Sequence, residues 1–263
     1  MDHSDIARYL SVRFPVTGML VYRGNVALVT RRGGAMASIV RGDRRPIKEL
    51  SRRARARLAF VALATPVEFS SLMTITYPAA APLDGKAVKH NLTQFLKRFT
   101  RDYGAEYLWV LEFQKRGAPH FHIATDIAAI TAIDRVWLAL NWIECLGYGK
   151  SPFNSSGLDL DEMAEVEKIF AVHSYERAWE DIRAVDGARH YMVKEAVKTK
   201  QKLVPSAYQD VGRFWGCSRA VTDGIAPISE IHCDEQTVRD MLESFGNRAY
   251  NLEIVPKVIF CVR

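Results

Sequence analysis

The chain is 263 residues long, 48% hydrophobic and 25% charged, with a formal net charge of +6. That composition suits a globular protein with a sizeable core; no run approaches the roughly 18 apolar residues of a membrane span, and Met1-Asp2-His3-Ser4-Asp5 does not open a secretory signal. Cys145, Cys217, Cys233 and Cys261 are scattered with no Cys-x-x-Cys pair, a spacing of reduced cytoplasmic thiols rather than of a disulfide framework or zinc site.

Residues 1–48 read as an N-terminal extension whose role the sequence leaves open. Within it, Met19–Thr30 suits a short hairpin around Arg23-Gly24-Asn25, and residues 31–46 form a Gly- and Arg-rich arm. Ser51–Ala64 suits either a helix capped by Ser51 or a basic turn running into a strand. It carries a first basic cluster, Arg52, Arg53, Arg55 and Arg57. Ser70–Tyr77 alternates hydroxyl and apolar residues in the manner of a strand, with Thr74 and Thr76 on one face. After a loop, Gly85–Tyr103 has helical periodicity: Val88, Leu92, Phe95, Leu96 and Phe99 share a face, while Lys86, Lys89, Lys97 and Arg98 fall largely elsewhere.

Tyr107–Gln114 and Pro119–Thr125 then read as two strands joined by Lys115-Arg116-Gly117, a three-residue loop with Gly117 in the left-handed position. Pairing centred on Arg116 sets Glu112 opposite His120 and Val110 opposite His122. Side-chain direction alternates along a strand, so His120 and His122 share a face, and directly opposed residues share it too. A lone His-x-His on a strand is more often structural than metal-binding. A carboxylate at hairpin register strengthens the metal reading and makes Glu112, His120 and His122 a candidate three-ligand cluster. Trp109, Leu111, Phe113, Phe121 and Ile123 point the other way and can cover a core.

Thr131–Leu146 suits a helix carrying Ile133, Trp137, Leu138 and Trp142. Gly147-Tyr148-Gly149-Lys150-Ser151 ends like a phosphate-binding loop, but Glu144 stands where the first glycine is required. No ATPase or helicase domain is therefore expected. Residues 162–170 and 175–182 fit no single pattern. Ala188–Lys200 reads as a helix on which Tyr191 and Lys194, three residues apart, share a face. Lys194, Lys198, Lys200 and Lys202 form a second basic cluster, and Arg213 and Arg219 bracket an aromatic segment within an irregular stretch, 205–218. A helix at Asp234–Phe245 and a strand at Glu253–Val262 close the chain. The element order indicates one α+β domain over residues 49–263, an antiparallel sheet packed against helices. Basic clusters flanking candidate chemistry point to nucleic acid.

Four segments together resemble the HUH endonucleases that initiate rolling-circle replication, with most similarity to single-tyrosine initiators of small bacterial plasmids and filamentous phages. They are Leu72-Met73-Thr74-Ile75-Thr76-Tyr77-Pro78, the stretch Leu111–His122 with its Gly-Ala-Pro-His-Phe-His ending, Tyr191-Met192-Val193-Lys194, and Gly212-Arg213-Phe214-Trp215-Gly216. They span roughly residues 50–220 in the family's order. The resemblance implies a ferredoxin-like or RRM-like antiparallel sheet with the His pair on a central strand. It also implies strand-specific nicking at an origin that leaves the enzyme on the 5′ end. Many relatives carry a second tyrosine where this chain has Glu195, which leaves Tyr191 as the nucleophile; Tyr208 and Tyr175 are its rivals.

The chemistry agrees with that assignment. Breaking a phosphodiester needs a nucleophile in line with the leaving oxygen and a cation against the phosphoryl oxygens. Two imidazoles and a carboxylate suit Mn²⁺ or Mg²⁺. A phenol with an ordinary pKa of about 10 needs activation, and Lys194 is placed to steady the phosphate or the phenolate. Thr74, Thr76, Lys198 and Arg213 are candidate DNA contacts. The expected partners are single-stranded or hairpin origin DNA and a host helicase, in the cytoplasm of a bacterial host. The competing readings are a single-tyrosine HUH transposase, a non-catalytic origin-binding repressor, and a zinc hydrolase that would not need Tyr191.

Overall fold

Strands whose two faces are both apolar must be covered on both sides, and that requirement organises this molecule. The computed structural model describes residues 16–22, 25–30, 47–78, 84–148, 160–182, 187–197 and 203–232. Its strands are β1 (Val16–Tyr22), β2 (Asn25–Thr30), β3 (Ser71–Thr76), β4 (Tyr107–Phe113), β5 (Pro119–Thr125), β6 (Trp179–Asp181), β7 (Trp215–Cys217) and β8 (Ser229–His232). Its helices are α1 (Arg52–Ala64), α2 (Gly85–Tyr103), α3 (Ala132–Cys145), α4 (Leu160–Ser174), α5 (Gly187–Val197) and α6 (Arg219–Asp223). The principal sheet has five strands in the order β6-β3-β5-β4-β7, and every pairing in it is antiparallel. The architecture is α+β, as the element order indicates, with β5 and its histidines central. A smaller sheet, β2-β1-β8, contains the N-terminal hairpin. Tyr22 of β1 meets Phe60 of α1 edge to face at 5.0 Å.

Register follows the sequence pattern. Phe113 pairs with Pro119, Glu112 with His120 and Val110 with His122. The turn between them closes through Gly117 N–H to the Gln114 carbonyl at 2.7 Å, with Gly117 at φ +82°, the left-handed region that glycine enters without steric penalty. One face of the sheet presents Met73, Ile75, Trp109, Leu111, Phe113, Phe121 and Ile123 to α2, α3 and α4, whose Phe95, Phe99, Trp142 and Ile169 fill the core there. The other presents Leu72, Leu108, Val110 and Ala124 to Leu58 and Ala62 of α1 and Met192 and Val193 of α5.

Local chemistry sets the helix ends. The Ser51 hydroxyl accepts from Ala54 N–H, which decides between the two readings of that segment in favour of a helix. Asp84 caps α2, and Thr131 and Asp134 form a reciprocal capping box on α3. Arg189, near the start of α5, is buried. Its guanidinium donates to the carbonyls of Ala62, Leu63, Thr65 and Val67. A cation at the C-terminal end of α1 also meets the negative end of that helix dipole, so Arg189 ties α5 to α1.

Three expectations need correction. Ile133 is 79% exposed; α3 takes its phase from Leu138 and Trp142, and five residues at about 100° each turn Ile133 roughly 140° away from Leu138. Lys89 does not lie with the solvated lysines. Its ammonium sits 3.9 Å above the Trp109 ring, enclosed, and burial holds its pKa well below the ordinary value. The stretch 205–218 is not wholly irregular. Its last residues form β7, paired with β4, a strand too short for alternation to reveal. Gly216 allows the pairing, since a Cβ there would lie 2.9 Å from the Trp109 ring. Lys198, the Asp234–Phe245 helix and the Glu253–Val262 strand lie outside the described residues.

Candidate functional site

Glu112, His120 and His122 face the same side of the sheet as Thr74 and Thr76, beyond the apolar layer of Leu72, Val110 and Ala124. The strand period dictates this, because β3 pairs Thr74 with His122 and Thr76 with His120. The α5 helix crosses that face and brings in Tyr191 from 69 positions along the chain. Its hydroxyl lies 3.2 Å from His122 Nδ1 and its ring 5.3 Å from the imidazole, centroid to centroid. The Thr74 hydroxyl is 3.3 Å from the same nitrogen. On the other side of the ring, His122 Nε2 stands 3.5 Å from a Glu112 carboxylate oxygen. The imidazole is thus located by a strand carboxylate on one nitrogen and two hydroxyls on the other.

Glu112, His122 and Glu195 are all buried. Each offers a ligand atom within 4.8 Å of those of the other two. Among the described residues these three form a group able to hold a metal ion. Two carboxylate oxygens and an imidazole nitrogen are the donors of a hard or borderline divalent cation. Burying two carboxylates side by side is costly unless positive charge offsets them, so the donor set fits such an ion. His120 lies beside this group, its ring 4.6 Å from that of His122. Gln114 Nε2 approaches His120 Nδ1 at 3.4 Å, and Arg116 Nε donates to Gln114 Oε1 at 2.8 Å, which fixes the direction of the amide. Arg116 also donates to the carbonyls of Pro78 and Tyr77, so the hairpin tip is fastened to the end of β3.

The remaining expected residues are placed as follows. Lys194 is exposed on α5, and Arg213 is exposed just before β7. The Thr76 hydroxyl is enclosed with no hydrogen-bond partner among the described residues. Tyr208 packs on Phe113 at 5.4 Å in the core of the opposite sheet face, where burial raises its pKa. Tyr175 is 59% exposed. Of the three tyrosines considered, Tyr191 is the one in contact with the histidines.

Sequence reasoning does not single out two residues that lie beside the site. Glu195 enters it only as the place of an absent tyrosine, although its spacing of four from Tyr191 already puts both on one helix face. His173 on α4 is buried. Its Nε2 accepts the Thr76 backbone N–H at 3.1 Å, its Nδ1 is 2.7 Å from the Ile169 carbonyl, and Trp142 Nε1 donates to the Thr76 carbonyl at 2.9 Å. β6 pairs only as far along β3 as Met73, so His173 and Trp142 satisfy the strand edge that β6 leaves unpaired. Burial holds the His173 pKa down at about 4. No sequence periodicity announces such a residue.

Residues 70–200 match a family model for replication-associated proteins of the ORF2 type. The matched segment contains β3, the histidine hairpin and the tyrosine helix. It supports a replication initiator that acts on DNA. No curated protein matches, and no solved structure matches. Among the described residues, no helix is long and apolar enough to cross a membrane.

Proposed function

We propose that the protein initiates replication by nicking and rejoining one strand of origin DNA, with Tyr191 as the nucleophile. The observation that carries the reading is the Tyr191 hydroxyl, 3.2 Å from His122 Nδ1. Two motifs far apart in sequence meet there at one reacting distance. Tyr191 Oη attacks phosphorus, the P–O3′ bond breaks, and the strand is left with a free 3′-hydroxyl and a 5′-phosphotyrosine ester. The phenol gives up its proton, and the departing 3′ oxygen gains one. Rejoining runs the same exchange backwards, which is possible because the ester conserves the bond energy.

Glu112, His120 and His122 would hold a divalent cation, Mn²⁺ or Mg²⁺, which when bound offsets charge on the phosphoryl oxygens. Thr74 keeps the His122 ring in its orientation. Lys194, one turn from Tyr191, meets the phosphate, while Thr76, Lys198 and Arg213 contact the DNA. The substrate is single-stranded or hairpin origin DNA in the cytoplasm of a bacterial host, and a host helicase supplies the unwinding. Residues 1–48 are an extension of the nuclease domain.

The test is a denaturing gel of protein with labelled single-stranded origin DNA and Mn²⁺. Wild type should give an adduct that survives denaturation, and Tyr191→Phe should give none while still binding the DNA. No adduct from wild type on any origin strand would favour a repressor or a zinc hydrolase. An adduct mapped to Tyr208 or Tyr175 would keep the activity and overturn the nucleophile. Activity confined to hairpins at the ends of a mobile element would favour a transposase.

A further inference from the structure

We propose that Glu195 is itself a cation-binding residue, so that the bound ion ties the tyrosine helix to the sheet. The inference rests on the metal reading of the site and goes beyond it. A ligand set drawn from β4 and β5 alone would leave the cation indifferent to α5. The geometry favours a set that includes α5, because Glu195 is completely buried and its carboxylate shares one 4.8 Å cluster with Glu112 and His122.

Three features support it. Arg189 already anchors the first turn of α5 through four carbonyls, so placing that end of the helix does not depend on Glu195. Glu195 also faces Glu112, and two carboxylates brought together away from water oppose one another unless a cation lies between them. Finally, Glu195 is one helical turn beyond Tyr191 on the same face. Whatever fixes its carboxylate also fixes the azimuth and height of the Tyr191 hydroxyl. Cation binding would therefore complete the placement of the nucleophile as well as balance phosphate charge. An apo site would keep its strand residues in register while the second half of α5 is held less firmly.

The experiment measures Mn²⁺ binding by electron paramagnetic resonance titration of the full chain without DNA, and backbone hydrogen exchange across residues 187–197 with and without Mn²⁺. The proteins are wild type, Glu195→Gln and His122→Ala. Gln keeps the shape of the buried side chain and removes the charge. Mn²⁺ affinity should fall by at least about tenfold in Glu195→Gln, the loss that follows even when a group that merely orients a ligand is removed. Mn²⁺ should slow exchange in α5 of wild type but not of the variant. Without metal, the variant should melt at the wild-type temperature or above it, since a like-charge contact has gone.

Wild-type affinity in Glu195→Gln alongside lost binding in His122→Ala would overturn the inference and leave the metal site standing. A variant that melts markedly lower without metal yet binds Mn²⁺ normally would overturn it in favour of a structural carboxylate. No Mn²⁺ binding by wild type would overturn the metal reading and this inference together.

Discussion

His173 gives the most quantitative handle on the fold. It is buried, its Nε2 accepts the Thr76 N–H, and its pKa falls from 6.5 to about 4. The unfolded chain therefore binds a proton near pH 6.5 that the folded chain refuses until about pH 4. Between those values the unfolded state holds more protons, so stability falls as pH falls and is fully present above about pH 6.5. Integrated over the two pKa values, the loss is about 2 kcal/mol by pH 5 and about 3 kcal/mol by pH 4. The perturbation is His173→Gln, whose amide can accept from Thr76 and donate to Ile169 without titrating. The assay is urea unfolding at several pH values between about 4 and 7.5, the window that brackets both pKa values. The variant should start less stable at about pH 7, and the gap should then close by about 2 kcal/mol on descending to pH 5. Parallel pH profiles would show that His173 is not held neutral and that the Thr76 edge is satisfied in another way.

The other predictions are briefer. His120→Ala and His122→Ala should each abolish cleavage while retaining most DNA affinity, because phosphate contacts elsewhere carry the binding; nicking at wild-type rates by either would remove it from the ligand set. Gly216→Ala should destabilise the fold by about 1–3 kcal/mol in thermal melts, the usual cost of overpacking, because its Cβ would press on the Trp109 ring that also lies beneath Lys89. Affinity for single-stranded DNA should drop steeply between about 50 and 200 mM salt as basic residues release counterions. A flat response would exclude the Arg and Lys clusters as the binding surface.

The parts of the fold that rest on short-range periods are legible in the sequence. The α2 stripe of Val88, Leu92, Phe95, Leu96 and Phe99 is buried throughout. The hairpin register follows from where Gly117 can turn the chain, and a one-residue slip would have moved both histidines into the opposite core. Short strands escape the same logic. β6 and β7 have three residues each, too few to display alternation, and their places are decided by pairing with β3 and β4. Lys89 escapes it for a related reason. Its position on the helix wheel is marginal, and its burial depends on Trp109, a partner from another element.

Glu195 shows where sequence reasoning stops and what the fold adds. The i, i+4 relation to Tyr191 is local and visible. The proximity to Glu112 is not, because it depends on α5 crossing the histidine face of the sheet rather than the opposite one. Arg189 decides that crossing by binding the C-terminal carbonyls of α1, an interaction between segments more than a hundred positions apart. Once α1 covers the Leu72–Val110–Ala124 side, α5 must lie beside it, and its Tyr191 and Glu195 are carried to the histidines. A buried arginine that touches no site residue thereby determines which tyrosine meets them. Tyr208, equally aromatic and only 17 positions further on, is sealed against Phe113 on the opposite face.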